Sequence, residues 1–401
     1  MAMLRGTQNR TSLFVSLAIM CVALLFLISM SPRIAHADPS DTPEFKIKVT
    51  ISGNSDAART FYLPTSGGLN PSGESSAAYN KNYSWDVDWG DNANPTFITY
   101  NQSDSANTTE SDGIKHTYNA TGTYTITITP TDLSEEAWLG SFGFSGTNMG
   151  ASATANCNKV TAVLSPITPS MTRTAAQIEG TALAPGHEWA NTFRGCQNIT
   201  MGQDFTFDAD AWNSVTSVGN NFAGSMFFNC TGDNFTMNSV FNLPQNITEA
   251  GDSFASGMFD RCRGNSFDMN SVFNLPQGIT EVGNGFAISM FSSCHGSGFT
   301  MNSVFNLPQG ITKLEKGFAH SLFYLAGGQS FQINDVFRFP VLDTNALNTK
   351  ESFFWTFGNM DDNTPEQKRS AHSIVNGNEA PLVDRITFFW LKVLCRPTQP
   401  R

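Results

Sequence analysis

The chain has 401 residues, enough for two or three domains, and carries a net charge of −11. A chain this acidic repels the phosphate backbone of nucleic acids, so we expect no nucleic-acid partner. Six of the seven cysteines follow residue 37, and an even number in an exported chain is compatible with a disulfide framework.

Residues 1–37 have the pattern of a secretory signal peptide. An apolar run over residues 13–30 follows a basic start, and Ala35-His36-Ala37 resembles the small-residue site at which such peptides are cleaved. The alternative, a membrane anchor, is less favoured because the cleavage site directly follows the run. We therefore expect a secreted or cell-surface protein without a transmembrane segment in the mature chain.

Short strands are predicted after the signal peptide. FKIKVTISG, from Phe45, alternates apolar and polar residues as a strand with one buried face does. Further strands are predicted at 83–87 and 96–100, and residues 116–128 form a turn that leads into another alternating strand. Short strands separated by glycine, asparagine and proline favour an antiparallel β-sandwich over residues 38–150.

Two motifs in this region resemble those of the PKD domain. They are WGDN at residues 89–92 and HTYNATGTYTITI at 116–128, where the family has W-G-D-G followed by H-x-Y-x-x-x-G-x-Y. Asn92 replaces the usual glycine, and asparagine also tolerates a left-handed turn. The resemblance covers residues 44–130. It implies an Ig-like β-sandwich that serves as a spacer or as a protein- or carbohydrate-interaction module, not as a catalyst.

Asp86, Asp88 and Asp91 form a dense acidic cluster, and calcium is one interpretation. Their spacing differs from that of an EF-hand loop, so we favour carboxylates that cap turns. His116 belongs to the second motif, no nucleophile lies near it in sequence, and we interpret it as structural. The sequence thus predicts no catalytic, cofactor-binding or metal-binding residue, and no cofactor.

The middle of the chain repeats with a period of 32 residues. Four phenylalanines begin successive copies: Phe222, Phe254, Phe286 and Phe318. A period in this range is typical of solenoids, in which each unit buries its apolar face against its neighbours. A second position repeats as Cys230, Cys262, Cys294 and Ala326. Because alanine is accepted there, we expect buried free thiols rather than bridges, while the states of Cys157, Cys196 and Cys395 stay open.

The apolar positions within one copy predict its local structure. Phe254, Met258 and Cys262 have the spacing i, i+4, i+8, which predicts a short helix. Residues 269–273 predict a second helical turn. The β-branched segment 279–282 predicts a strand, whose copies should pair in parallel.

The order LP, IT, VG, F, MF and C resembles the leucine-rich-repeat variant of BspA-type bacterial surface proteins, which read LP-x-x-[VI]-T-x-I-G-x-x-A-F-x-x-C. This chain has a longer unit, with an inserted MNSVFN turn, and phenylalanine where leucine usually leads. The resemblance implies a leucine-rich-repeat-like α/β solenoid. Behind a PKD-like domain, it further implies a bacterial secreted or surface protein that acts in adhesion or partner binding.

These observations predict a multidomain protein of five parts. Residues 1–37 are the signal peptide and 38–150 the PKD-like sandwich. Residues 151–221 hold degenerate first repeats or a cap, 222–340 the regular repeats, and 341–401 a C-terminal cap or tail. Irregular end units are expected because they must close the stack.

The predicted function is that of a non-catalytic interaction or adhesion protein, whose solenoid presents a ligand face on a PKD-like spacer. The alternative is a carbohydrate-binding accessory of an extracellular enzyme. Catalysis requires convergent titratable groups, whereas the histidines are scattered and the repeats have few carboxylates. We expect an unidentified protein or glycan ligand at the cell exterior, with unknown binding residues. The candidates vary between copies: Phe228-Asn229, Asp260-Arg261 and Ser292-Ser293.

Overall fold

A computed structural model describes residues 44–63, 82–93, 96–101, 114–134, 144, 156–201, 205–233, 235–237, 241–264, 273–295, 307–311 and 315–326. The predictions for residues 1–37 and 341–401 lie outside these ranges. The described part is rich in β-structure and has few helices. Within it, no helix is long and apolar enough to cross a membrane.

Six strands form the N-terminal part of the structure. They are β1 (Phe45–Ile51), β2 (Thr60–Leu63), β3 (Asn82–Asp88), β4 (Thr96–Asn101), β5 (Ile114–Thr117) and β6 (Gly122–Pro130). The pairs β1–β6, β3–β6, β3–β4 and β2–β5 are all antiparallel. Alternate residues of β1 are buried, as the apolar–polar alternation of its sequence requires. The strands predicted at Phe45, 83–87, 96–100 and 116–128 are confirmed.

The main sheet continues beyond these strands into the repeats. β7 (Val160–Val163) pairs antiparallel with β1, and β8 (Thr200–Met201) and β10 (Thr236–Met237) follow in parallel. The order of the seven strands is β10-β8-β7-β1-β6-β3-β4. The core is also shared, since the rings of Phe45 and Trp189 are 5.7 Å apart. The N-terminal strands and the first repeats therefore fold on a common sheet and core.

Short parallel strands connect successive copies of the repeat. They are β9 (Ser217–Val218), β11 (Phe241–Asn242), β12 (Glu249–Ala250), β13 (Phe273–Asn274) and β14 (Glu281–Val282). Glu249 pairs with Ser217 on one side and Glu281 on the other, so each copy lies one 32-residue period from the next. The strand predicted at 279–282 and its parallel pairing are confirmed for residues 281–282, whereas residues 279–280 lie outside the strand.

The helix predicted from Phe254, Met258 and Cys262 is wrong, because residues 252–261 form successive turns. Ser253 and Ala255 have φ of 59° and 50°, and left-handed residues cannot continue a right-handed helix. The second predicted helical turn is also wrong at Phe273, which lies in β13, and its residues 269–272 lie outside the described part.

Hydrogen bonds to the next copy explain why turns replace the helix. The N–H groups of Ser253 and Phe259 donate to carbonyls of the following copy, those of Asn284 and Met290. The N–H of Met258, by contrast, donates to a carbonyl only three residues back. Left-handed residues occur at 253, 255, 257 and 261, at intervals of two or four, and a spacing of four fits that recurrence as well as it fits a helix.

Stacked phenylalanines form the core of the repeat array, the name used here for residues 189–326. The rings of Phe222, Phe254, Phe286 and Phe318 stack with centroids 5.7, 5.1 and 5.1 Å apart. A second ladder has the same geometry and consists of Phe193, Phe227, Phe259, Phe291 and Phe323. All of these rings are buried, so the predicted phenylalanine core is confirmed.

The five cysteines within the described ranges form one bridge and leave three free thiols. Cys230, Cys262 and Cys294 are free and buried, as predicted, and each thiol donates to a carbonyl oxygen of the preceding copy at 2.9–3.2 Å. Cys157 and Cys196 form a disulfide with Cα atoms 4.8 Å apart, a pairing that the sequence left open. The bridge links the segment before β7 to the first copy of the array.

Candidate functional site

Two of the three acids in and before the first PKD-like motif cap a turn. Asp88 and Asp91 each accept a hydrogen bond from the backbone N–H two residues later, at 2.9 and 3.2 Å. Asn92 has φ of 62°, the left-handed conformation expected there. Asp86 is exposed on β3. The prediction of turn caps is therefore confirmed for two of the three acids. Among the described residues, no three His, Cys, Asp or Glu side chains are grouped to hold a metal ion.

His116 packs against the same turn and stabilises it. Its Nε2 lies 2.7 Å from Asp91 Oδ2, and its ring stacks on Trp89 with centroids 4.9 Å apart. The hydroxyl of Tyr118 donates to the carbonyl of Trp89 at 3.0 Å. Burial opposes ionisation of Asp91, but its hydrogen bonds, above all with His116, still lower its pKa below the ordinary value. The arrangement fits the structural role predicted for His116.

A second charged pair is buried at the start of the array. Arg173 donates from Nε and Nη2 to the two oxygens of Glu188, at 2.9 and 2.8 Å. Thr172 donates to the same carboxylate at 2.9 Å, and Arg173 also donates to the carbonyl of Ser217 at 3.0 Å. The side chains of the pair are 2% and 0% exposed. Because hydrogen-bond donors of the protein itself surround the carboxylate, the pair stabilises the fold and is not a ligand site.

Equivalent residues of successive copies form columns along the array. The N–H of Phe227 donates to the carbonyl of Met258, and that of Phe259 to Met290, which fixes the register between copies. The residue after each phenylalanine of the second ladder gives the first column: Arg194, Phe228, Asp260, Ser292 and Tyr324. The next residue gives the second column: Gly195, Asn229, Arg261, Ser293 and Leu325. While the phenylalanines repeat, both columns change from copy to copy.

Two arginines lie over the ring of Phe228. The guanidinium carbon of Arg194 is 4.1 Å from the ring centroid, and that of Arg261 is 5.4 Å from it. Arg194 also donates from Nη1 to Asn191 Oδ1 at 3.1 Å. Cation–π contacts at partly exposed sites contribute about 0.5–1 kcal/mol each and restrict the arginine side chains.

A third arginine and one carboxylate complete this group. Burial raises the pKa of Asp260, against the opposing effects of Arg261, a hydrogen bond with Ser292, Arg263 and Arg194. Asp260 Oδ1 is buried and accepts no hydrogen bond from the described residues. Arg263 is exposed and donates from Nε to the carbonyl of Ser293 at 3.3 Å. We call this group the arginine cluster: Arg194, Phe228, Asp260, Arg261 and Arg263.

The cluster contains residues of two variable pairs that were predicted from the sequence. They are Phe228 of the pair Phe228-Asn229 and both members of Asp260-Arg261. Arg194 was not among the variable residues predicted from the sequence. The sequence does place Arg194 in the same column, because Phe193 and Cys196 correspond to Phe227 and Cys230. The correspondence is harder to see because this copy is one residue shorter before Phe193.

Comparisons of the chain with known protein families, with curated proteins and with solved structures found no match. The PKD-like and BspA-like resemblances therefore stay predictions, and the function is argued from the geometry of the array.

Proposed function

We propose that the protein is a secreted or cell-surface interaction and adhesion protein of bacterial type, without catalytic activity. In this proposal a solenoid of 32-residue repeats presents the ligand face, and a PKD-like, Ig-like sandwich serves as the spacer. The observation that carries the proposal is the contrast between a constant interior and a variable surface. Phe227 and Phe259 are identical and stack at 5.3 Å, whereas the exposed residues two positions later are Asn229 and Arg261. A rigid framework with variable surface positions is how repeat proteins build binding faces.

The arrangement of the N-terminal strands supports the spacer role. The strands β1, β6, β3 and β4 are neighbours in one sheet, and β2 and β5 form another. Phe61 and Leu63 of β2 are buried in the same core as Ile47 and Val49 of β1. Two antiparallel sheets over one core are the arrangement that an Ig-like sandwich requires.

Export is supported by the disulfide between Cys157 and Cys196, since such bridges persist mainly outside the cytosol. The absence of catalysis is supported by how the titratable pairs are used. The close pairs Asp91–His116 and Arg173–Glu188 hold a turn and a buried junction together. Groups that serve folding in this way are not free to transfer protons to a substrate.

A binding screen with residues 38–401 tests the proposal. The protein is applied to arrays of glycans and extracellular-matrix proteins, and each ligand that it binds is then incubated with the protein and analysed for cleavage. We expect saturable binding to at least one class and unchanged ligand after incubation. Cleavage of a bound ligand would contradict the proposal. Binding that only increases the activity of a polysaccharide-degrading enzyme would favour the accessory role instead.

A further inference from the structure

We propose that the arginine cluster is a binding site for an acidic glycan, which it holds through a carboxylate or sulfate group of the sugar. This inference rests on the proposed function and identifies the ligand class of its binding face.

Arg261 supplies the first argument, because its donors are available. It is exposed, and its guanidinium donates no hydrogen bond to any residue in the described ranges. Its contact with Phe228 holds the planar group in place from one side. A guanidinium held in this way can donate two parallel hydrogen bonds to a carboxylate or sulfate, at a reduced cost in side-chain entropy.

The charge of the cluster supplies the second argument. Arg194, Arg261 and Arg263 bring three guanidinium groups to one place on a chain whose net charge is −11. Asp260 is the carboxylate among them, and its burial disfavours the charged form. The cluster therefore attracts anions locally, whereas the rest of the chain repels long polyanions. The cluster is therefore suited to a glycan whose anionic groups are spaced apart, because such a ligand can place one anion at the cluster with little repulsion elsewhere.

The neighbouring side chains favour a glycan over a protein. Asn229 is exposed in the second column, next to Phe228, and its side-chain amide can pair with sugar hydroxyls. Protein interfaces usually need large apolar anchors. Across the described ranges, the exposed large hydrophobic side chains are Leu164 and Leu183, and neither belongs to the cluster.

The array itself provides matched variants for the test. At the same places in other copies, Arg261 corresponds to Asn229, Arg263 to Thr231 and Arg194 to Ser292. The substitutions are therefore Arg261→Asn, Arg263→Thr and Arg194→Ser. Arg261 has φ of 61° and Asn229 has φ of 56°, so asparagine is compatible with the backbone. Lys115→Ala, at an exposed lysine of β5, is the control for loss of a positive charge.

Binding of residues 38–401 is measured by titration with three oligosaccharides. Hyaluronan carries carboxylates, keratan sulfate carries sulfates, and a chitin oligosaccharide is neutral. We expect binding to at least one acidic probe. The affinity for the neutral probe should be lower by about tenfold or more. Arg261→Asn should weaken acidic-glycan binding about tenfold, as expected for the loss of one bidentate contact, and Lys115→Ala should not change it. Circular dichroism shows whether each variant is folded, and Arg263→Thr provides a second test if one is not.

The inference is overturned if the neutral probe binds as well as the acidic ones, or if folded arginine variants bind with unchanged affinity. A poly-glutamate peptide that binds more tightly than either acidic glycan also overturns it and favours an acidic protein. If the array finds a ligand whose binding does not depend on the cluster, this inference fails and the interaction function stands. If no ligand binds in either experiment, both fail.

Discussion

The ring of Phe254 lies parallel to the ring of Phe286, with centroids 5.1 Å apart and 3° between the planes, although 32 residues separate them. Phe222 covers the other face of Phe254, and Phe318 continues the stack beyond Phe286. Each ring is thus buried by the equivalent ring of another copy. The stability of one copy consequently depends on contacts with its two neighbours.

Phe254→Ala tests this dependence. Removal of a buried ring should lower the free energy of unfolding by about 3–5 kcal/mol, because the rings on both sides lose their packing partner. Phe254→Leu keeps most of the apolar volume and should cost less than Phe254→Ala. Urea unfolding followed by circular dichroism measures both values. An alanine variant as stable as the leucine variant would show that the ladder contributes little.

The buried thiols predict how stability changes in alkaline solution. Burial raises the pKa of Cys230 and Cys262 above their ordinary value, so the folded chain keeps both protons where the unfolded chain loses them. The contribution of the two thiols to the free energy of unfolding should therefore be constant below about pH 8.5 and fall as the pH rises further, by up to about 1.4 kcal/mol per pH unit for each thiol.

Urea unfolding between pH 7.5 and about 9.5, below the ionisation of ordinary tyrosines, measures this decline. The control is the double variant Cys230→Ala and Cys262→Ala, since Ala326 occupies the equivalent place in a later copy. Its stability should depend less on pH over the same range. An equal decline in both proteins would assign the effect to other groups.

Asp91→Ala should destabilise the N-terminal strands. The substitution removes the hydrogen bond to His116 and the cap on the turn, and hydrogen bonds to charged groups contribute about 1.5–3 kcal/mol. Because the folded pKa of Asp91 is lowered, its contribution is present above about pH 4 and is lost as the pH falls through the folded pKa. Urea unfolding at pH 7 and pH 3 compares the two conditions. Asp86→Ala, at an exposed acid on β3, is the matched control and should have little effect at either pH.

Glu188→Ala should be among the most destabilising single changes at the start of the array. It leaves the guanidinium of Arg173 buried without its carboxylate, which typically costs about 3–5 kcal/mol. The double variant Arg173→Met and Glu188→Leu removes both charges and should be considerably more stable than Glu188→Ala. The unfolding midpoints in urea give the order. A double variant no more stable than the single one would contradict this account of the pair.

The sequence predicted features that depend on local alternation or on the period. The strands at Phe45 and 116–128 follow from alternation, and the parallel pairing of Glu249 with Glu281 follows from the 32-residue step. It could not predict the turns around Ala255, since alanine and the spacing of its neighbours are both typical of helices. The backbone there is fixed by hydrogen bonds to residues about 30 positions later, which no local pattern reveals.

The site was predictable only in part, for a similar reason. The variable residues Phe228 and Arg261 were identified by comparing copies. The contact of Phe228 with Arg194, however, depends on how an irregular first copy joins the array. The bridge between Cys157 and Cys196 depends on the same junction, because β1, β7 and β8 bring those residues together through tertiary pairing.

Deletion of one repeat tests the stacked array most directly. Removal of residues 254–285, one full period, should leave Phe222 to stack on Phe286 and Asn221 to bond with the next copy in the same register. Removal of residues 254–269, half a period, destroys that register. We expect cooperative urea unfolding and a β-rich circular dichroism spectrum for the 32-residue deletion, and loss of both for the 16-residue deletion. Equal behaviour of the two deletions would contradict the account.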